Sequence, residues 1–275
     1  MRKALPDSGT SRVWDALVLA AGRGPADPLS SAFAVSHKCL LPVAGQSMLQ
    51  HVVKALLASA RFNTIAVSIE DPAIACHALG ELADAVKPVV SAASASLSVA
   101  RSFAAIPLTQ PTLVTTADHP LLRRDIIDDF LARSAASGAD LTVGLATAEV
   151  ILTAYPEARR TFLRFGRQRV SGCNLFAFNT ADALSVIDHW HEVEQSRKKP
   201  WRLVRSFGIV PLVRYALGVL SLEAAFGAAS RTLGLTVKPI LLPFAESAID
   251  VDKPADLELA ERILRNSASY QPAIM

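Results

Sequence analysis

Residues 16–49, ALVLAAGRGPADPLSSAFAVSHKCLLPVAGQSML, constrain the fold more tightly than any other part of the chain. An apolar strand runs into a turn of small residues, Leu19, Ala20, Ala21, Gly22, Arg23 and Gly24. A polar loop follows, then a single lysine, Lys38, and a helix that opens near Ser47. Glycine lets backbone N–H groups approach an anion closely and adopt the dihedrals that this requires. Arg23 and Lys38 add two full positive charges at the same place. The combination describes a seat for a triphosphate.

Short apolar runs bounded by breakers predict strands at 13–20, 64–69, 87–90 and 112–116. Helical patterns lie between and after them, at 47–59, 74–85, 96–105 and 124–136, with Ser47 as the N-cap of the first. Near-continuous apolar strands joined by helices predict a parallel sheet covered on both faces. Ligands of such sheets collect at the carboxyl ends of the strands, where the Gly22 turn and Asp118 both fall. The second half is less regular. Strands are expected at 139–146, 172–178 and 235–242, and helix between 180 and 233 broken at Pro200 and Pro211. A closing helix is expected at 254–265, followed by a frayed tail.

The Leu19–Gly24 turn and the block Lys38-Cys39-Leu40-Leu41-Pro42-Val43-Ala44-Gly45-Gln46-Ser47-Met48-Leu49 resemble the nucleotidyltransferases of the molybdopterin-guanylyltransferase-like (MobA-like NTP transferase) group. The resemblance implies a glycosyltransferase-A-like, Rossmann-like α/β fold, with a mostly parallel sheet and helices on both faces. It implies one nucleotidyltransferase domain over residues 1–275, with a helical insertion at about 180–234. No Arg-Met pair follows the second glycine, which leaves Arg23 as the only arginine of the loop, and that loop is longer than is usual for the group.

Four further segments fit the same pattern. Leu113 to Leu122 is an apolar strand ending in Asp118 before a proline turn, where the group places a Mg²⁺-binding aspartate. Taken alone, Asp118 serves equally well to end a strand or cap the next helix. Ala248 to Leu257 carries Asp250 and Asp252, two residues apart on an extended segment and so expected on one face. Two such carboxylates suit a hard cation. The resemblance makes Asp252 the second metal ligand and Asp250 its alternative. Pro254 sits at the first turn of the last helix, and Asp256 complements its dipole. Ser96 and Ser98 resemble the group's nucleotide-side serines, with a plain N-cap role as the alternative for Ser96. Asn174 resembles the asparagine of a strand that faces the acceptor, with a turn role as its alternative.

The rest of the chain narrows the class. Of 275 residues, 51% are hydrophobic and only 6% aromatic, which suits a helix-rich α/β core better than a β-sandwich. A net charge of +3 is compatible with an anionic small substrate and too weak to argue for nucleic acid. Three scattered cysteines form neither a disulfide framework nor a zinc site. With no apolar signal core and no long apolar run, a cytoplasmic setting without a membrane span is expected. The six histidines show no ligand spacing; His189 and His191 flank Trp190 and diverge on a helix. Residues 197–207, RKKPWRLVRSF, interleave cations with aromatics. They read as part of an insertion over the acceptor pocket, or as a segment resting on an anionic membrane surface.

The expected reaction is transfer of a nucleotidyl group from CTP or GTP to a phosphorylated small acceptor, with Mg²⁺ and release of pyrophosphate. Lys38, Arg23 and Asp118 would carry it, and Leu19, Ala20, Ala21, Gly22, Gly24, Ser96 and Ser98 would hold the nucleotide. A glycosyltransferase of the same fold is the alternative, since Asp250-Val251-Asp252 has DxD spacing. A noncatalytic nucleotide sensor is another. A dinucleotide oxidoreductase fits poorly, because the turn is followed by a long loop and a lysine instead of a helix and an acid.

Overall fold

The computed structural model describes residues 13–22, 27–106, 110–194 and 208–269. Its centre is strand β1 (Trp14–Leu19), which pairs in parallel with β4 (Phe62–Ile69) on one side and β6 (Thr112–Thr116) on the other. β5 (Lys87–Val90) extends the sheet beyond β4. Beyond β6 come β9 (Gln168–Phe178), β7 (Leu141–Thr147) and β10 (Val237–Leu241), giving the order β10-β7-β9-β6-β1-β4-β5. β8 (Leu163–Phe165) forms a hairpin with β9. A separate two-stranded hairpin joins β2 (Pro42–Val43) to β3 (Gln46–Ser47). Its turn residues Ala44 and Gly45 both take positive φ, 48° and 84°, the geometry whose twist matches paired strands.

The sheet is mixed. β9 runs antiparallel to both β6 and β7, which makes it the mostly parallel sheet expected. Because β9 reverses direction and β7 reverses it again, β1, β4, β5, β6, β7 and β10 all point the same way. Six carboxyl ends therefore share one edge.

Strand alternation divides the core. Trp14, Ala16 and Val18 face one cluster and Leu17 the other; Leu113 and Val114 divide likewise. The first face is covered by α2 (Met48–Ser59), α3 (Pro72–Leu79), α5 (Arg124–Ala136) and α10 (Pro254–Ser269), with α6 (Ala148–Ala154) at its margin. The second carries α4 (Ala95–Ala105), α7 (Val186–Glu194) and α9 (Leu222–Leu233). There Phe103 meets Phe178 edge-to-face at 5.1 Å. α2 opens with a capping box: the Ser47 hydroxyl accepts from Gln50 N and the Gln50 side chain accepts from Ser47 N.

Boundaries depart from the sequence reading in four places. The polar loop after the Gly22 turn contains a short helix, α1 (Pro28–Ala32), whose N-terminal amides are accepted by the Asp27 carboxylate. The helix expected over 74–85 divides into α3 and a 3₁₀ turn at Gly80–Ala85. Pro211 does not break helix; it lies in the first turn of α8 (Ile209–Ala216), where its missing N–H has no intrahelical partner to lose. The last helix continues past 265 to Ser269, and the rest of the expected tail, 270–275, lies outside the described residues.

Gly144, in β7, faces a bulge where the register against β9 shifts. A Cβ there would stand 3.0 Å from Leu175 Cβ and 3.4 Å from Phe130, whereas one at Gly172 meets nothing within 4 Å. Gly144→Ala should therefore lose about 1–3 kcal/mol in urea unfolding, the range for overpacking. Gly172→Ala should be neutral or slightly stabilising.

Candidate active site at the carboxyl edge

The Lys38 ammonium stands between two carboxylates. Its Nζ donates to Asp118 Oδ2 at 2.8 Å and to Asp252 Oδ1 at 2.6 Å. These partners lie 80 and 214 residues away in sequence. Lys38 opens a 3₁₀ turn, Lys38–Leu40, whose neighbours Cys39 and Leu41 are buried in the core. The lysine is thereby fixed at its root, and its tip reaches the sheet edge.

Asp118 follows directly from β6. Ala117 N donates to Leu19 O, and the Thr116 hydroxyl donates to Asp118 Oδ1 at 2.6 Å. The Asp118 carbonyl accepts from Val251 N at 2.9 Å, which ties this turn to the segment carrying Asp250 and Asp252. His119 Nε2 adds a second tie to the Glu246 carbonyl at 3.1 Å. Asp252 is placed from its other side by α10. Asp256 Oδ2, in the first turn after Pro254, accepts from Asp252 N and Lys253 N.

Asp250 and Asp252 do not share a partner. Asp252 takes Lys38, while Asp250 forms a buried ion pair with Arg160 and accepts from Asn174 Nδ2 at 3.0 Å. Arg160 also donates to the Asp250 carbonyl. In this structure the two carboxylates engage two different side-chain cations. Asn174 sits in the left-handed region at φ 51°, conformational strain that asparagine tolerates better than most residues. That turn in β9 aims its amide at Asp250.

The electrostatics follow from burial and proximity. Burial alone would disfavour a charged Asp118, but Lys38 and Thr116 outweigh it and hold the carboxyl below its usual range. Burial would likewise lower Lys38, yet Asp118 and Asp252 raise it above the ordinary lysine value. Asp250 is pushed up by burial and by its like-charged neighbours Asp118 and Asp252, despite Arg160. Burial lowers His119 and keeps it neutral.

The remaining expected residues have the following places in this structure. Ala20 N donates to Ser68 O, continuing the β1–β4 ladder into the turn that leads to Ala21 and Gly22. Arg23 and Gly24 lie outside the described residues. Ser94, not Ser96, caps α4 by accepting from Leu97 N. Ser96 is buried and reaches Ser94 and His191 Nδ1, the latter at 3.1 Å. Ser98 accepts from Ala92 N and donates to Ser94 O. Sequence reasoning missed Arg160, Thr116 and the contacts of His191. Arg160 and His191 find their partners across 90 and 95 residues, with no local pattern to reveal them.

The Asp118 and Asp252 oxygens meet on one point now taken by an ammonium, a donor set of hard oxygens that suits a divalent cation. Among the described residues no cluster of three or more ligating side chains adds to it. A Mg²⁺ ion characteristically takes one or two carboxylates and completes its shell with water and phosphate, so the residues fit the group.

Residues 16–191 match the family of the MobA-like NTP transferase domain. The chain belongs to that family. No curated protein sequence matches it significantly. Among solved structures, this MobA-like domain is similar to a hypothetical transferase from Thermus thermophilus, at 25% identity and a TM-score of 0.75, covering 90% of this chain and 99% of that one. It also shares its fold with the 4-diphosphocytidyl-2C-methyl-D-erythritol synthase of Anaerococcus prevotii, at 12% identity, TM-score 0.59, with 93% and 99% covered. A third is CMP:2-keto-3-deoxy-manno-octonic acid synthetase complexed with CTP, at 13% identity, TM-score 0.57 and the same coverage. The fold is that of glycosyltransferase-A-like nucleotidyltransferases.

The pH response of this MobA-like domain tests the lysine bridge. Asp118 is held below its ordinary 3.8, so its pairing contributes stability above that pH and loses it as pH falls through the lowered value. Lys38, raised above 10.5, contributes below that pH and loses it as pH rises through the raised value. Lys38→Met leaves Asp118 with an unmatched charge. Its thermal midpoint should drop below wild type at pH 7, and the gap should narrow on acidification below pH of about 4.

Proposed function

We propose that the chain transfers a nucleotidyl group from CTP or GTP to a phosphorylated small-molecule acceptor and releases pyrophosphate. The observation that carries this reading is the convergence of Asp118 and Asp252 on Lys38 at the carboxyl edge of a sheet built by a MobA-like NTP transferase domain. Ligands of open α/β sheets occupy that edge.

In this reading an oxygen of the acceptor phosphate bonds to the α-phosphorus as the bond to the pyrophosphate oxygen breaks. A phosphate monoester has its second pKa at about 6 and is ionised at neutral pH, so no side chain has to remove a proton. This agrees with a site holding two aspartates already matched by a lysine, and a neighbouring histidine, His119, kept neutral and bonded to a backbone carbonyl. Lys38 keeps its proton throughout, because its value is raised, and stabilises charge on the α-phosphate and the departing pyrophosphate. Arg23 is the second cation assigned to that task. Asp118 and Asp252 would hold Mg²⁺, which when bound neutralises the triphosphate charge. The Leu19–Gly22 turn would receive the nucleotide beside them. Arg160 and Asn174 keep Asp250 engaged, so that Asp118 and Asp252 are the two carboxylates facing the lysine.

The experiment is pyrophosphate release with Mg²⁺, each of the four NTPs and a panel of phosphorylated sugars, polyols and pterin-type acceptors. One NTP and one acceptor should give turnover. Lys38→Ala should lower it by roughly two to three orders of magnitude, the cost of removing one electrostatic stabiliser, and Asp118→Ala should abolish it. Tight NTP binding with no turnover would replace transfer by a sensor role, and absence of NTP binding would overturn the reading.

A further inference from the structure

We propose that Lys38 and Mg²⁺ exchange places on Asp118 and Asp252: the ammonium occupies the two carboxylates while no ion is bound, and leaves for the triphosphate as the ion enters. The inference rests on the transfer reading for its assignment of Mg²⁺ to these two aspartates. The first observation is occupancy. Lys38 Nζ stands 2.8 Å from Asp118 Oδ2 and 2.6 Å from Asp252 Oδ1, on the carboxylates to which the ion is assigned. Mg²⁺ binds oxygen at about 2.0–2.1 Å, closer than an ammonium does, and carries twice its charge. Two cations drawn to the same pair of oxygens repel each other at contact distance, and each disfavours the other. Lysine and ion are therefore competitors for the pair, not joint occupants.

The second observation is which partner is free to move. Both carboxylates are held from behind. Asp118 Oδ1 accepts from the Thr116 hydroxyl at 2.6 Å, and its carbonyl accepts from Val251 N. The Asp252 and Lys253 amides are gripped by the Asp256 carboxylate. Lys38 is fixed at its backbone, where its carbonyl accepts from Leu41 N and its neighbours Cys39 and Leu41 are buried. Its tip is different. Among the described residues Nζ bonds only the two aspartates, at the end of a flexible four-carbon stem. An ion that takes the carboxylates releases the amine and leaves the scaffold as it was. The way in is open: the Asp252 side chain is 56% exposed, against 24% for Asp118 and 14% for Lys38. A hydrated Mg²⁺ that keeps several of its waters suits such an approach. Asp250 offers neither cation an alternative, because Arg160 and Asn174 already engage it.

The exchange gives one lysine two successive tasks. Before the ion arrives, the ammonium neutralises the pair and keeps both carboxylates converged on one point, so the ion finds its ligands assembled. Afterwards the released ammonium needs a new anion, and the triphosphate assigned to the Leu19–Gly22 turn supplies it. Ion and triphosphate then favour each other's binding, since each removes what the other would have to displace, and such coupling is reciprocal. The contrary reading makes Lys38 a permanent bridge that strengthens the fold and takes no part in ion binding. The two readings predict opposite effects of removing the lysine on the affinity for a metal ion.

The test is binding of Mn²⁺, which shares the preference of Mg²⁺ for carboxylate and water, read by electron paramagnetic resonance on the full chain without nucleotide. Lys38→Met should bind Mn²⁺ about tenfold more tightly than wild type, within the usual range for two coupled ligands. Lys38→Arg, which keeps a cation at the position, should show no such gain. Lys38→Met/Asp252→Asn should lose the gain, because the ion then lacks one of its carboxylates. Equal or weaker binding in Lys38→Met would overturn the exchange, as would a gain shared by Lys38→Arg or one that survives Asp252→Asn. The wild type supplies a second readout that needs no variant to fold. Saturating Mg²⁺ should raise the acylation of Lys38 Nζ severalfold, with the label located by peptide mass, and an unchanged rate would likewise overturn the exchange. Neither readout involves turnover, so a failure of the exchange and a failure of the transfer reading are told apart.

Discussion

A single ammonium group joins three distant parts of the chain. Lys38 brings the turn after β6 and the approach to α10 to one point, and neither carboxylate would be stable so close to the other without it. The bridge is possible because the sheet delivers its partners to one edge, and because Cys39 and Leu41 anchor the lysine's backbone in the core. The backbone bond from Val251 to Asp118 makes the same connection independently of side-chain charge. Geometry and electrostatics therefore support each other, and a change to either loosens both.

The charge arrangement extends one layer further. Among the described residues, Asp118, Asp250 and Asp252 lie within mutual electrostatic range and pair with the cations Lys38 and Arg160. Such a site suits polyphosphate chemistry, in which charge has to be neutralised and positions held while no proton needs to be moved.

The sequence revealed the parts whose signals are local. Ser47 at the start of α2, the apolar strand before Asp118, and Pro254 with Asp256 are each readable within a few residues, and each occurs where the pattern placed it. Whatever depends on pairing across the chain was hidden. The direction of β9 is set by its neighbours β6 and β7, and nothing in its own alternation distinguishes an antiparallel strand from a parallel one. Arg160 lies in an irregular stretch before β8, in a run of cations that gives no hint of which one turns inward. Ser94 and Ser96 are equally good N-caps on paper, and the choice fell to the residue whose backbone was extended. Pro211 was read as a break because proline usually interrupts a helix, yet in the first turn it is tolerated.

Asp256 has a consequence beyond capping. Its carboxylate grips the amides of Asp252 and Lys253, so the backbone that presents one carboxylate to Lys38 is held by the first turn of the C-terminal helix. Helix ends are the first places where a native protein opens, and they do so without global unfolding. When that turn unwinds, the amides are released and Asp252 loses its fixed position while the sheet stays intact. The first turn of α10 thus holds the backbone that presents Asp252 to Lys38.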